Sequence, residues 1–158
     1  MKSGLLAAAL WLMCGCAGPR TAADPTDTAI PESAGEAVAV VDAFQAALQA
    51  GDIDRAAGYL DPGVVILESG GAEHSRDEYL AVHAPADARF LKTVKVTPGR
   101  RTAHVEGNLA WIASLSEYEL DKEGSMAFID AAETMVLRRD AAGWKIVHIH
   151  WSSRRANK

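Results

Sequence analysis

The spacing of apolar residues changes near Phe90, and this change constrains the fold more than any other feature of the chain. Before it, apolar residues recur at helical spacing, as at Val40, Phe44 and Leu48, which is typical of an amphipathic helix. After it, they alternate with polar residues over long runs, which is typical of strands with one buried face. Helices followed by consecutive strands predict an α+β domain with helices packed on one face of a sheet.

The first helices are predicted from their capping residues. Ser33 and Glu36 have the spacing of a capping box, so we expect Ser33 to be the N-cap of a helix that Gly51 ends. Asp52 is expected to cap a short second helix in which Leu60 shares the apolar face.

A third helix and six strands are expected in the rest of the chain. Ser75 begins the third helix with another capping box, and Pro85 is expected to end or bend that helix. Short turns between the later strands predict an antiparallel meander. The expected strands are Val64–Glu68, Leu91–Thr97, Arg101–Glu106, Leu109–Leu120, Met126–Arg139 and Trp144–Ser152.

The amino terminus has the layout of a secretory signal. Lys2 precedes a short apolar run, and Cys16 follows Gly15 in a pattern that resembles the lipobox of bacterial lipoproteins. The expected division is a signal peptide (1–15), a disordered proline-containing tether (16–34), a folded domain (35–155) and a tail (156–158). Ala17 rather than Asp after Cys16 resembles the enterobacterial sorting pattern, which implies anchoring in the outer membrane, facing the periplasm. An ordinary secretory signal is the alternative.

Composition excludes several classes of chemistry. The chain has two cysteines, and maturation at Cys16 would remove Cys14 and lipidate Cys16, so no disulfide, reactive thiol or cysteine metal ligand is expected. The net charge is −5 with mixed signs and no basic stripe, which argues against a nucleic-acid partner. No glycine-rich phosphate loop is present, and no cofactor is expected.

The carboxyl-terminal strands carry a family resemblance. The residues from Glu133 to Arg139, followed by Gly143 to Ser152, together with the helix ending at Gly51, resemble the SnoaL-like domains of the nuclear transport factor 2-like superfamily. The resemblance implies a cone, in which a curved antiparallel sheet of cystatin-like type wraps around the N-terminal helices and leaves a pocket. That superfamily includes isomerases, dehydratases, cyclases and non-catalytic modules, so the resemblance implies the fold and not one activity.

The last hairpin is the best candidate for a site. With a turn at Asp140–Gly143 and a regular ladder, Glu133 lies beside two histidines that share one sheet face. The expected cross-strand pairs are Arg139 with Trp144, Leu137 with Ile146, Met135 with His148 and Glu133 with His150. Alternation alone leaves open which face is concave, and we favour the face that carries the histidines.

Four residues are predicted to bind a small, largely apolar molecule: Glu133, His148, His150 and His83. One alternative is an isomerase or dehydratase in which Glu133 tunes His150 as a general base. Another is that the histidines are ordinary hydrogen-bonded residues of the core or rim. The His-x-His pair with His83 and Asp87 also has the residue types of a metal site, but no metal is expected.

The opposite face of the last strand is also apolar. It carries Val147, Ile149 and Trp151, and an exposed sheet face of that composition predicts an interface between two copies of the chain, as the resemblance also implies. A third reading follows, in which the protein is an interaction module without a ligand. Glu68, at the end of the first strand, is expected to point into the mouth of the cone.

Overall fold

The computed structural model describes residues 30–122 and 124–156. The predicted signal peptide, Cys16 and the tether up to residue 29 lie outside the described residues. In the described part, no helix is long and apolar enough to cross a membrane. The elements are a 3-10 turn Glu32–Ala34, the helices α1 Gly35–Ala50, α2 Ile53–Ala57 and α3 Arg76–Leu91, and the strands β1 Leu60–Glu68, β2 Gly71–Glu73, β3 Lys95–Glu106, β4 Leu109–Lys122, β5 Ser125–Asp140 and β6 Gly143–Arg155.

The strands form one curved sheet in the order β2-β1-β6-β5-β4-β3. Strands β3 to β6 make the predicted antiparallel meander. Strand β1 joins β6 in parallel, and the short β2, which was not predicted, pairs with β1. The α+β class and the curved sheet around the N-terminal helices are therefore confirmed.

Helix α1 packs its apolar side against the inner face of the sheet. Val41 and Phe44 are completely buried there, and Gly51 ends the helix with a left-handed φ of 77°. The capping box predicted for Ser33 is not formed, because the chain already turns at Pro31, whose carbonyl accepts the N–H of Ala34. The buried Ala34 is the N-cap instead, and the turn Glu32–Ala34 falls within the range predicted as tether.

Two predicted boundaries in the middle of the chain are wrong. Helix α2 ends at Ala57, and Leu60 begins β1 and not a helical turn. Helix α3 starts at the predicted cap, where the Ser75 side chain accepts the N–H of Glu78, but it continues through Pro85 to Leu91. A proline at this point removes only the hydrogen bond to the carbonyl of Ala81, which is exposed and can be hydrated.

The strands after α3 also differ from their prediction. Leu91 ends the helix and does not begin a strand, so β3 starts at Lys95. The two strands expected on either side of Pro98 are one strand, with a register shift between Pro98 and Arg101. Irregularities of this kind bend a strand, and here the bend helps β3 to follow the curved sheet.

The last hairpin contains a β-bulge that the sequence analysis missed. Its first two pairs are as predicted, but Val147 is an extra residue between the two that pair with Leu137 and Val136. The predicted pairs of Met135 with His148 and of Glu133 with His150 are therefore wrong. The observed pairs are Val136 with His148, Met135 with Ile149, Thr134 with His150 and Glu133 with Trp151.

The bulge exchanges the two faces of β6 beyond Val147. Ile149 is fully buried in the core, and Trp151 lines the inner cavity and donates to Glu133, so their assignment to an exposed dimer face is wrong. His148 and His150 lie on the outer face instead. The Nδ1 atom of His148 is 2.9 Å from the carbonyl oxygen of Val65 on the neighbouring strand.

Candidate functional site

A cavity of about 810 Å³ lies between α1, the end of α3 and the inner face of β3 to β6. Its walls are formed by aromatic and aliphatic side chains from both helices and from the sheet. A smaller set of polar side chains interrupts these walls. The apolar members include Phe44, Leu48, Phe90, Leu91, Val96, Ile129 and Trp151, and the polar members include Asp42, Gln45, Gln49, Glu68, Asp87, Arg101, Ser114, Ser116, Tyr118 and Glu133.

Glu133 is held at the wall of this cavity by two neutral donors. The Nε2 amide of Gln45 donates to one carboxylate oxygen at 2.8 Å, and the Nε1 indole of Trp151 donates to the other at 2.8 Å. Helix α1 supplies Gln45 and strand β6 supplies Trp151, so the carboxylate is fixed from two sides. Each oxygen retains a free lone pair with which a ligand can hydrogen-bond.

Arg101 orients the same network from β3. Its guanidinium donates to the Oε1 of Gln45 at 3.1 Å and to the Oγ of Ser114 at 3.0 Å, and it forms an ion pair with Asp42. Because the carbonyl end of Gln45 accepts from Arg101, its amide end is directed at Glu133. This arrangement defines the rotamer of the glutamine that holds the acid.

The surroundings of Glu133 change its acidity. Burial raises the pKa of its carboxyl group above the ordinary value, while the hydrogen bonds from Trp151 and Gln45 and the charge of Arg101 oppose that rise. A partly buried acid with a raised pKa, whose position is fixed by hydrogen bonds, is suited to exchange protons with a bound molecule.

A second acidic group lies at the α3 end of the cavity. The hydroxyl of the buried Tyr79 donates to Asp87 at 2.9 Å, and burial raises the pKa of the Asp87 carboxyl. Glu68 also lines the cavity, as predicted, and burial followed by the charge of Asp87 raises its pKa. Tyr118 lies within electrostatic range of both carboxyl groups and of Glu133.

The structure brings only one of the four predicted ligand-binding residues into this cavity. Glu133 lines it, whereas His83, His148 and His150 are not among the described residues of its lining. His83 lies on α3 with about half of its side chain exposed and forms an ion pair with the buried Glu73. The predicted Glu133–His150 base is therefore not assembled, because the bulge turns His150 to the outer face.

The sequence analysis missed Trp151, Gln45 and Arg101 as site residues. No local pattern could have found Trp151, because an extra residue in a strand leaves no periodic signal. Helix α1 did carry a signal: Asp42, Gln45 and Gln49 place a polar stripe beside its apolar face. The described residues contain no group of three or more histidine, cysteine or acidic side chains placed to hold a metal ion.

Comparisons with known proteins agree on the fold. A family model described as a SnoaL-like domain matches residues 37–155. A candidate ketosteroid isomerase from Shewanella frigidimarina is 36% identical, with a TM-score of 0.69 over 72% of this chain and 92% of that chain. A candidate calcium/calmodulin dependent protein kinase II association domain from Xanthomonas campestris is 26% identical, with a TM-score of 0.63 over 80% of this chain and 92% of that chain.

More distant structures share the architecture. An NTF2-like protein with a cystatin-like fold from Novosphingobium aromaticivorans is 17% identical, with a TM-score of 0.63 over 74% of this chain and 79% of that chain. At that identity the similarity concerns the fold alone. No curated protein matches the sequence.

Proposed function

Because this chain belongs to the SnoaL-like domain family, we propose that its folded domain binds a small, largely apolar molecule in the cavity beside Glu133. The observation that carries the proposal is the cavity itself. Its volume of about 810 Å³ falls in the range of small-molecule sites. Apolar walls with a few fixed polar groups are the usual composition of such sites.

The polar groups give the ligand an orientation. Glu133 is fixed by Gln45 and Trp151, so its position does not depend on the ligand. A hydroxyl or amine on the ligand can donate to a remaining lone pair of the carboxylate, while the apolar body packs against Phe44, Leu48 and their neighbours.

A cavity-filling substitution tests this binding. Ala131 lies on the inner face of β5 in the cavity wall, and Ala131→Phe adds a ring to the space that the ligand would occupy. Naphthylethanol, titrated calorimetrically into detergent-solubilised full-length protein, is expected to bind the wild type and to lose at least about tenfold in affinity for the variant. Thr102→Phe, exposed on edge strand β3, is the control. No binding to the wild type, or equal binding to Ala131→Phe, would contradict the proposal.

A second candidate is an enzyme that moves a proton on the bound molecule. Two observations favour it: the raised pKa of the cavity carboxyl of Glu133, and the relative whose description is a candidate ketosteroid isomerase. Ionised Glu133 would remove a proton from a carbon next to a carbonyl and return it to a neighbouring position. Its partners would be Gln45 and Trp151 and not the predicted His150.

A β,γ-unsaturated ketosteroid is the probe for that activity. Absorbance of the conjugated product would report turnover by the wild type, and Glu133→Gln would lower the rate by about a hundredfold or more if the carboxylate is the base. Asp77→Asn, an exposed position on α3, is the matched control. A rate for Glu133→Gln equal to that of the wild type would eliminate the enzyme candidate and leave binding.

The signal layout supports a lipid anchor at Cys16 in the cell envelope. Cys16→Ser is expected to abolish incorporation of labelled palmitate and to release the protein from the membrane fraction, whereas Cys14→Ser is expected to leave both unchanged. Labelling that survives in Cys16→Ser would contradict this anchor.

Self-association is proposed on the outer sheet face and not on the residues first predicted for it. Strand β4 exposes Leu109 and Trp111 there, with exposed fractions of 52% and 40%. Contiguous exposed apolar side chains of this kind mark protein contacts. The relative described as a candidate association domain supports the same role.

A further inference from the structure

Acidic groups outnumber basic groups around the cavity. Four carboxyl groups and one guanidinium line it, from Asp42, Glu68, Asp87, Glu133 and Arg101. An excess of one sign of charge around an apolar cavity concentrates ligands of the opposite sign. The distribution of these charges within the cavity then determines where a charged group of the ligand would lie.

The guanidinium of Arg101 already has partners within the protein. Arg101 forms an ion pair with Asp42 and donates to Gln45 and Ser114. Glu133 is close enough for the charge of Arg101 to lower its pKa and also has two neutral donors. Glu133 therefore has a nearby cation and two hydrogen-bond donors.

The carboxyl groups of Glu68 and Asp87 have fewer partners. Among residues 30–122 and 124–156, the Glu68 side chain has no hydrogen bond or ion pair, and the Asp87 side chain has a single hydrogen bond, from the neutral hydroxyl of Tyr79. The nearest basic group, His83, forms its ion pair with Glu73. Burial raises the pKa of both carboxyl groups, and the charge of Asp87 adds to the rise at Glu68. The charge of His83 opposes the rise at both groups, and the hydrogen bond from Tyr79 opposes it at Asp87.

Aromatic rings lie near Glu68 and Asp87. Trp151 is the cross-strand partner of Glu68, and its ring lies 6.0 Å from that of Tyr79. Phe90 follows Asp87 by one turn of α3, and its ring packs tilted against that of Tyr118, with the centroids 5.9 Å apart. Trp, Tyr and Phe faces attract organic cations, and carboxylates accept their N–H groups.

We propose that the ligand of this cavity is an organic ammonium ion, with its charged nitrogen at Glu68 and Asp87 and its apolar body toward the wall that holds Glu133. The inference rests on the proposed function and adds the charge class of the ligand. An anionic ligand would be repelled by the unpaired carboxylates of the cavity. The guanidinium of Arg101 already forms an ion pair with Asp42. A metal ion needs more ligands than the described residues gather here.

Three probes with the same apolar body test the charge class. Naphthylethylamine, naphthylethanol and naphthylpropanoate are titrated calorimetrically into full-length protein near neutral pH. The amine is expected to bind about tenfold or more tightly than the alcohol, and the carboxylate more weakly than both. Equal affinities for amine and alcohol would overturn the ammonium inference and leave the proposed binding function standing. Failure of all three to bind would overturn both.

Two variants then locate the charge. Glu68→Gln and Asp87→Asn are expected to weaken amine binding by about tenfold each while leaving alcohol binding within about twofold, because only the amine gains from the carboxylates. Asp77→Asn on the exposed start of α3 is the control. Loss of amine and alcohol binding together would contradict the assignment. If a variant does not fold, the comparison of the three probes on the wild type still decides the charge class.

Discussion

At the scale of single residues, the central polar group of the cavity is the carboxylate of Glu133. Removing it from water would destabilise the fold if no hydrogen-bond donors compensated for the lost hydration. Gln45 and Trp151 donate hydrogen bonds to Glu133, and Arg101 supplies a nearby positive charge. Burial nevertheless raises the pKa of the Glu133 carboxyl group. Desolvation therefore outweighs the hydrogen bonds in setting the pKa of this acid. That balance is measurable as a pH dependence of stability.

A carboxyl group with a raised pKa destabilises the folded protein when it is ionised. Its contribution to stability is fully present below the unfolded-state pKa and is lost as the pH rises through the folded-state pKa. We therefore subtract the free energy of unfolding of Glu133→Gln from that of the wild type. This difference is expected to increase as the pH falls from about 8 to about 5. Urea unfolding of both proteins across that range measures it, and a difference that is flat or falls toward acid would contradict the pKa assignment.

Two tryptophans, the buried Trp144 and the partly buried Trp151, offer a comparison. Among the described residues, the indole N–H of Trp144 has no hydrogen-bond partner, whereas that of Trp151 donates to Glu133. Trp144→Phe removes an unsatisfied donor, and Trp151→Phe removes the partner of a partly buried acid. Trp151→Phe is expected to lower the free energy of unfolding by about 1–3 kcal/mol more than Trp144→Phe does, as measured in urea. Equal losses would show that the bond to Glu133 contributes nothing to stability.

At the scale of elements, irregularities in the strands decide which side chains reach the cavity. The bulge at Val147 turns Ile149 and Trp151 inward, and the shift between Pro98 and Arg101 brings Arg101 opposite Ser114 on the inner face. Bulges bend and twist the strand that carries them, so the same features also curve the sheet. The polar network of the site therefore depends on two interruptions of otherwise regular ladders.

Gly99 lies at the irregular point of β3, where the backbone of β4 comes close. A Cβ atom on residue 99 would be 3.0 Å from the carbonyl oxygen of Leu115, so Gly99→Ala must move one strand from the other. We expect Gly99→Ala to lower the free energy of unfolding by about 1–3 kcal/mol. In Gly63→Ala the added Cβ meets only the Asp61 side chain, at 3.5 Å, and that variant is the control. An unchanged free energy of unfolding for Gly99→Ala would mean that the bend in β3 does not require close contact with the backbone of β4.

At the scale of the whole molecule, the sheet separates a ligand-binding side from an outer side. The inner face holds the core and the cavity, while the outer face carries Trp111 stacked on His104, near His148. Leu109 and Trp111 on the outer face do not line the cavity. Substitutions on the outer face should therefore change association without changing ligand binding.

The dimer proposal is testable through that separation. Trp111 is 40% exposed at the centre of β4, and Trp111→Lys places a charge in the proposed contact. Sedimentation of the wild-type protein at tens of micromolar is expected to show a dimer, and that of Trp111→Lys a monomer with unchanged affinity for naphthylethanol. A wild-type monomer, or a dimer unaffected by Trp111→Lys, would refute the outer face as the interface.

The sequence by itself determined the α+β class, the antiparallel meander after the helices, and the first two pairs of the last hairpin, because periodicity and turn residues act locally. It also indicated Glu133 and Glu68 as cavity residues. Which face of β6 beyond Val147 meets the core was decided only in the tertiary structure. One extra residue reverses every later side chain of a strand, and the bulge is stabilised by burying Ile149 against a distant helix and sheet. Long-range packing of that kind has no counterpart in the local pattern of residues.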